Sequence, residues 1–186
     1  KIKKYIFASS GSIYGLKKEK EVTEKLGLDP ITDYNKSKMI CEKVILSYKD
    51  KIKTIILRPA TVCGFSKRLR LDVVLNIFSY QAFFKKKITI FGGSQVRPLL
   101  HIKDMIYAYE YFIKNNITGI FNVGFENIKI SNIAKEVQKI IPCEIVSLKS
   151  NDPRSYRMNS DKLIKSGFKP SYNFKDAIMD LKNSFK

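Results

Sequence analysis

The sequence predicts an α/β protein of 186 residues built around a parallel sheet. Two short apolar runs, residues 5–9 and 53–60, have the length and composition of buried strands. The connection between them is long and carries an amphipathic helical pattern over residues 33–50. A strand, a crossover that contains a helix and a second strand together indicate a parallel βαβ unit.

The first predicted strand ends in a run of small residues, 9–12, and leads into a polar stretch over 16–33 that we interpret as a surface loop. Asp33 is the predicted N-cap of the helix that follows. The apolar positions of that helix recur at helical spacing and predict its buried face: Met39, Ile40, Val44, Ile45 and Tyr48. Pro59 ends the second strand.

The remaining sequence continues to alternate between helical and strand patterns. Helices are predicted over 70–84, from Asp104 as the N-cap to Ile113, over 131–141, and near 160–166 and 174–184. Short strands are predicted at 88–91, 120–123 and 143–148. We find no repeat, low-complexity segment or linker, so the whole chain can fold as one unit.

The composition favours a globular cytoplasmic protein without a metal site. With 44% hydrophobic residues the chain is too apolar for intrinsic disorder, and no apolar run approaches the roughly 20 residues of a membrane span. The first residues have no signal-peptide pattern. Cys41, Cys63 and Cys143 are scattered, which predicts reduced thiols rather than disulfides or zinc ligands. The only histidine, His101, follows an apolar block and is expected to be structural.

The formal net charge of +18 is compatible with nucleic acid, anionic lipid or a phosphorylated small molecule as a partner. Most basic residues are lysines spread along the chain, which is typical of a solvated surface, and no nucleic-acid-binding motif accompanies them. Arginines are more informative because they favour bidentate phosphate contacts. There are six: Arg58, Arg68, Arg70, Arg97, Arg154 and Arg157.

Tyr34 and Lys38 stand four residues apart at the start of the first predicted helix, so they share one face. A free phenol is a weak acid, with a pKa of about 10, and a nearby ammonium favours its phenolate form. A hydroxyl on a neighbouring strand end, such as that of Ser10, would hydrogen-bond the same substrate oxygen. The trio suits proton transfer to or from a carbinol while a hydride moves elsewhere, although a Tyr–Lys pair alone occurs on many helices.

Several sequence blocks occur together in a fixed order: ASSGSIYG at 8–15, YNKSK at 34–38, LRPATVCG at 57–64, GGSQVRPLLHIKD at 92–104, FNVG at 121–124 and DPRSYR at 152–157. In this order they resemble the extended short-chain dehydrogenase/reductase family. More narrowly, they resemble its NAD-dependent epimerase/dehydratase branch, which acts on nucleotide sugars. The resemblance covers essentially the whole chain. It implies a partial Rossmann-like parallel sheet, the second half of that fold, with a smaller α/β substrate-binding subdomain.

The resemblance implies a role for each residue at a matching position. Tyr34 would be the catalytic acid/base, Lys38 its partner and a contact to the nicotinamide ribose, and Ser10 the hydroxyl that orients the substrate. The cofactor, NAD or NADP, would lie against Tyr34, Lys38, Pro59, Ala60 and Thr61. The nucleotide-diphosphate sugar would lie against Ser10, Thr61, Arg70, Arg97 and Arg154. A homodimer formed through the helix that carries Tyr34 and Lys38 is also implied.

The resemblance leaves more than one activity open. Our leading hypothesis is a nucleotide-sugar epimerase that oxidises and re-reduces a sugar carbinol, and the alternatives are a ketosugar reductase of the same family or an inactive fragment. Dehydration is disfavoured because Gly11 and Ser12 occupy the positions where the 4,6-dehydratases carry an acidic pair.

One expected motif is missing from this sequence. The nine glycines never form the Gly-rich turn that binds a dinucleotide pyrophosphate, so we expect the first half of the cofactor domain, roughly 100 residues, to be absent. Residues 1–64 would then be the second half of the Rossmann domain, and 65–186 mainly the substrate subdomain, with 104–124 returning to the Rossmann sheet. The strand at 5–9 would have an unpaired edge, and the chain alone would not bind NAD tightly.

Overall fold

The computed structural model describes residues 2–150 and 155–186 and confirms the α/β class. The strands are β1 (Lys4–Ala8), β2 (Lys53–Pro59), β3 (Thr61–Cys63), β4 (Lys87–Phe91), β5 (Val96–His101), β6 (Gly119–Val123), β7 (Glu126–Lys129) and β8 (Glu144–Leu148). The helices are α1 (Asp33–Leu46), α2 (Val74–Tyr80), α3 (Ile102–Lys114), α4 (Ile130–Ile140), α5 (Asp161–Lys165) and α6 (Phe174–Ser184). Within the two described ranges, no helix has both the length and the hydropathy that a bilayer crossing requires.

The sheet that positions the site is parallel, with the strand order β1–β2–β6. In its register Ala8 of β1 lies beside Leu57 of β2, and Leu57 lies beside Phe121 of β6. The five central residues of β2 are all buried, as expected for a strand with neighbours on both sides and helices on its faces. This arrangement confirms the parallel βαβ unit, and it brings the carboxyl ends of β1 and β2 to one edge of the sheet.

Two smaller sheets complete the described part of the chain. Strand β3 pairs in parallel with β5, which also pairs antiparallel with β7, while β4 pairs in parallel with β8. The predicted strands at 88–91 and 143–148 are β4 and β8, whereas β3, β5 and β7 were not predicted. Helix α2 is shorter than expected and continues into a π-helical turn, Gln81–Lys85. The predicted domain division near residue 64 stays a prediction.

Helix α1 forms where predicted, but two details of the prediction were wrong. Its N-cap is Thr32, whose hydroxyl accepts the backbone N–H of Asn35 at 3.2 Å, rather than Asp33. Its predicted apolar face is not its buried face: Ile40 and Val44 are more than half exposed. The buried residues of α1 are polar, Asn35 and Glu42. The helix therefore packs on the sheet partly through hydrogen bonds and charge, and it leaves Ile40 and Val44 exposed.

Helix α3 also differs from the prediction at its N-terminus. Its N-cap is His101, whose Nδ1 accepts the backbone N–H of Lys103 at 3.1 Å. Asp104, the predicted cap, is fully buried and accepts the backbone N–H groups of Ser171 and Tyr172, each at 3.0 Å. The carboxylate thus fixes the loop before α6, while the expectation of a structural histidine agrees with the capping contact.

Candidate active site

A cavity of about 540 Å³ lies at the carboxyl ends of β1 and β2. Its lining residues come from five parts of the chain: Ser9, Ser10, Ser12, Tyr34, Pro59, Ala60, Thr61, Val62, Arg70, Val73 and Tyr156. Ligands of parallel α/β sheets bind at this edge, beyond the carboxyl ends of the strands. Ser10, Tyr34, Pro59, Ala60 and Thr61, which the sequence predicts as site residues, therefore meet at one cavity.

Ser10 is held by the turn that follows β1. It is the N-cap of the 3-10 turn Gly11–Tyr14, and its Oγ accepts the backbone N–H of Ser12 at 3.2 Å. The next residue must be small, because a Cβ on Gly11 would lie 3.1 Å from the Pro59 carbonyl oxygen and 3.2 Å from the Tyr156 hydroxyl. The small residues after β1 thus let this turn approach the end of β2.

Tyr34 is the second residue of α1, and its ring is 56% exposed on the cavity side of the helix. Lys38 follows one helical turn later, with its Nζ 5.6 Å from the centre of the Tyr34 ring and 5.0 Å from that of Phe7. The same Nζ donates a hydrogen bond to the Ala8 carbonyl oxygen at 2.8 Å. Lys38 is not one of the described residues that line the cavity. Its ammonium lies near the Tyr34 ring, and its hydrogen bond to Ala8 connects α1 to the end of β1.

The segment after β2 forms the floor of the cavity. The backbone N–H of Ala60 donates to the Val123 carbonyl oxygen at 2.8 Å, which continues the ladder between β2 and β6 beyond Pro59. Thr61 then begins β3 and pairs with Leu99 of β5. The chain therefore passes from one sheet to another at the cavity, so these residues are fixed by both.

A second cavity of about 510 Å³ adjoins the first. Both cavities are lined by Ser12, Thr61, Val73 and Tyr156. Arg97 of β5, Thr89 and the exposed Phe91 line the second cavity but not the first. Two cavities with shared walls offer one extended binding path, with hydroxyl groups in both and one arginine in each, Arg70 in the first and Arg97 in the second.

The other predicted arginines have different surroundings. Arg70 lines the first cavity, and its guanidinium makes a two-point pair with Asp72, at 3.0 Å from Nε and 2.7 Å from Nη2. Both side chains of that pair are about two thirds exposed. Arg154 lies outside the described residues. The second cavity therefore holds one predicted arginine, Arg97, among the residues that the structure describes.

Sequence analysis missed several residues at the site, among them Ser12, Asn35 and Tyr156. Ser12 Oγ lies 2.7 Å from Ser10 Oγ and donates to Asn35 Oδ1 at 2.5 Å. Tyr156 lines both cavities, and burial raises the pKa of its phenol to about 12, although the nearby Arg97 acts in the opposite direction. The signals were present, since Ser12 and Tyr156 stand inside blocks that carried the family resemblance.

The described residues contain no group of three or more His, Cys, Asp or Glu side chains that is suited to a metal ion. The three cysteines are free thiols. Burial raises the pKa of the Cys63 thiol to about 12 and keeps it protonated.

Comparison with known proteins decides the family. The model of the NAD dependent epimerase/dehydratase family matches residues 1–124. This chain belongs to that family. The finding confirms the resemblance drawn from the sequence blocks, and the fold agrees with it.

Two curated relatives of this chain differ in the activity for which they are named. The UDP-glucose 4-epimerase of Lactobacillus helveticus is 30% identical over 206 residues, which cover 96% of this chain and 62% of that protein. The human dTDP-D-glucose 4,6-dehydratase is 26% identical over 195 residues, which cover 96% and 55%. This family member thus spans less than two thirds of the length of either relative.

A solved structure of an epimerase also matches nearly the whole of this chain. The UDP-glucuronic acid 4-epimerase from Bacillus cereus, in complex with UDP-glucuronic acid and NAD, is 28% identical with a TM-score of 0.83. The match covers 98% of this chain and 61% of that one. Nearly every residue of this family member thus has a counterpart in an epimerase fold.

Proposed function

We propose that this chain is the catalytic and substrate-binding part of an NAD-dependent nucleotide-sugar epimerase that acts at C4 of a hexose. The observation that carries the proposal is the single cavity that Ser10 and Tyr34 line, with Lys38 behind the tyrosine. The position of the reaction follows from the relatives, two of which are named as 4-epimerases.

Each member of the trio has a task in this reaction. Tyr34 accepts the proton of the carbinol during oxidation and returns it during reduction. Lys38 places a positive charge 5.6 Å from the centre of the Tyr34 ring, beside the proposed acid/base. Ser10, which lines the same cavity, binds a sugar hydroxyl. A nicotinamide at this edge would supply the acceptor and the donor of the hydride.

The described residues fit the nicotinamide end of such a cofactor. Ser9, at the end of β1, is 3% exposed, and its Oγ has no hydrogen-bond partner in the described part of the chain although the residue lines the cavity. An unsatisfied buried hydroxyl is costly unless a ligand completes it. Tyr34, Lys38, Pro59, Ala60 and Thr61 would surround the nicotinamide and its ribose. We propose NAD as the cofactor, with NADP as the alternative.

The second cavity supports a nucleotide sugar as the substrate. The ring of Phe91 offers a surface on which a base stacks, and the guanidinium of Arg97 offers bidentate contacts to a diphosphate. Thr61 and Tyr156 line both cavities, so a diphosphate that lies between them would connect a nucleoside in the second cavity to a sugar in the first. Arg70 would assist once a ligand draws it from Asp72, and the role of Arg154 stays a prediction.

A homodimer through α1 is part of the proposal. Ile40 and Val44 stand four residues apart on α1 and form a stripe that Tyr48 extends just beyond the end of the helix, and each of the three is at least half exposed. Such a stripe is typical of a helix that packs on another helix, and a second copy of α1 would cover it. Ile40→Glu should convert a dimer to a monomer in light scattering, whereas the same substitution at Ile113, which is also exposed, should not.

Turnover by the intact protein tests the proposed activity. We expect it to interconvert UDP-glucose and UDP-galactose with catalytic NAD and without net formation of NADH. Net consumption of reduced cofactor with a 4-keto sugar nucleotide would instead indicate a reductase. If calorimetry detects binding of neither UDP-sugar to the chain, the proposal is wrong.

A further inference from the structure

Ser10 does not stand alone in the cavity wall, because its hydroxyl begins a chain of hydrogen bonds that ends on α1. Ser12 Oγ is 2.7 Å from Ser10 Oγ, and it donates to Asn35 Oδ1 at 2.5 Å. Asn35 is 7% exposed, and Thr32 fixes it by accepting its backbone N–H. Asn35, the residue next to the proposed acid/base, is thus linked through Ser12 to the hydroxyl of Ser10.

The donors and acceptors in this series of hydrogen bonds follow from the single proton that each serine hydroxyl carries. An amide oxygen can only accept a hydrogen bond, so Ser12 donates its single hydroxyl proton to Asn35 Oδ1. The short contact between Ser12 and Ser10 then requires the proton of Ser10. Ser10 Oγ also accepts the backbone N–H of Ser12 at 3.2 Å, which leaves it one lone pair for a ligand.

We propose that Ser12 and Asn35 are positioning residues that hold Ser10 as a hydrogen-bond acceptor, so that the site receives a sugar hydroxyl rather than a ketone. A serine in this state binds a ligand O–H and has no proton with which to polarise a carbonyl. The resting site therefore favours binding of the sugar alcohol over binding of the ketosugar. This inference rests on the proposed function.

Calorimetry on the full chain tests the proposal with three probes: UDP-glucose, its 4-deoxy-4-fluoro analogue and UDP. Fluorine cannot donate a hydrogen bond, so an acceptor serine should favour UDP-glucose by about three- to tenfold. Ser12→Ala frees the proton of Ser10, and we expect the preference for UDP-glucose over its fluoro analogue to fall below about twofold.

Conservative substitutions distinguish an effect on the orientation of Ser10 from a general loss of structure. Ser12→Thr keeps the hydroxyl and Asn35→Asp keeps an acceptor oxygen, so both should keep the preference for UDP-glucose. Ser47→Ala is the matched control, because it removes a similar hydroxyl contact at the far end of α1. Melting temperatures would identify any variant that has lost its fold.

The possible outcomes distinguish this inference from the proposed function. Equal or tighter binding of the fluoro analogue to the unaltered chain would overturn the inference, and so would a Ser12→Ala chain that keeps the full preference. If neither UDP nor UDP-glucose binds, the proposed function is wrong and the inference fails with it.

Discussion

Arg58 of β2 and Glu42 of α1 form a buried ion pair with two contacts, Nε to Oε1 at 3.0 Å and Nη2 to Oε2 at 2.6 Å. The guanidinium also donates from Nη1 to the Tyr14 hydroxyl at 2.9 Å, and Tyr14 donates to Asn122 Oδ1 at 2.7 Å. Because both side chains of this pair are buried, it anchors α1 to the sheet. It therefore helps to set the position of the helix that carries Tyr34.

Glu42→Gln should destabilise the fold strongly. The substitution leaves the Arg58 guanidinium buried without a counter-charge, and such losses cost about 3–5 kcal/mol. Urea unfolding measures the change in the free energy of unfolding. The control is Asp72→Asn, which breaks the exposed pair with Arg70 and should cost less than about 1 kcal/mol. Similar costs for the two variants would contradict the anchoring role of Arg58 and Glu42.

Tyr34→Phe should abolish most of the turnover and leave binding intact. Removal of a general acid/base lowers kcat by about 10²- to 10⁴-fold, whereas the ring that lines the cavity remains. Turnover of UDP-glucose and calorimetry with UDP give the two values on one preparation. Tyr48→Phe removes another exposed hydroxyl beyond the far end of the same helix and serves as the control. A Tyr34→Phe protein with unchanged kcat would rule out the proposed acid/base.

The stability of the chain should fall as the pH drops below about 6.5, where histidine ordinarily titrates. Burial lowers the pKa of His101, although Asp180 acts against this shift. The neutral ring also caps α3 through Nδ1, which protonation would prevent. Since the folded pKa lies below the unfolded one, the stabilisation is fully present above the unfolded value and is lost as the pH falls through the folded one.

His101→Asn tests this pH dependence, because asparagine also caps helices but does not titrate. Unfolding in urea between pH 5 and pH 8 should give a flatter profile for this variant than for the unaltered chain. Identical profiles for the two proteins would exclude His101 as the source of the pH dependence.

Gly15→Ala should destabilise the turn after β1. Gly15 has φ 70° and ψ −143°, and an added Cβ would lie 1.9 Å from the Asp29 carbonyl oxygen, a backbone atom. Strain of this kind costs at least about 2 kcal/mol. Gly27→Ala is a matched control, since its added Cβ meets nothing within 4 Å. Thermal unfolding compares the two, and equal melting temperatures would show that the turn can rearrange.

The sequence was sufficient for the parallel unit and for most of the cavity wall, because both depend on local patterns. The runs that became β1 and β2 are apolar and short, and Ser10 and Tyr34 stand in blocks that the family shares. The buried face of α1 was predicted wrongly because the argument assumed that apolar residues face inward. The contact between Ser12 and Asn35 was not predicted because it joins residues 23 positions apart in a way that no spacing rule describes.

The ammonium of Lys38 is held by a main-chain oxygen, that of Ala8, and not by an acidic side chain. Every amino acid carries such an oxygen, so no replacement at position 8 that preserves the strand deletes this partner. The position of the Lys38 ammonium therefore depends on the backbone pairing of β1 with β2. Substitutions of the side chain at position 8 that keep this pairing also keep the contact.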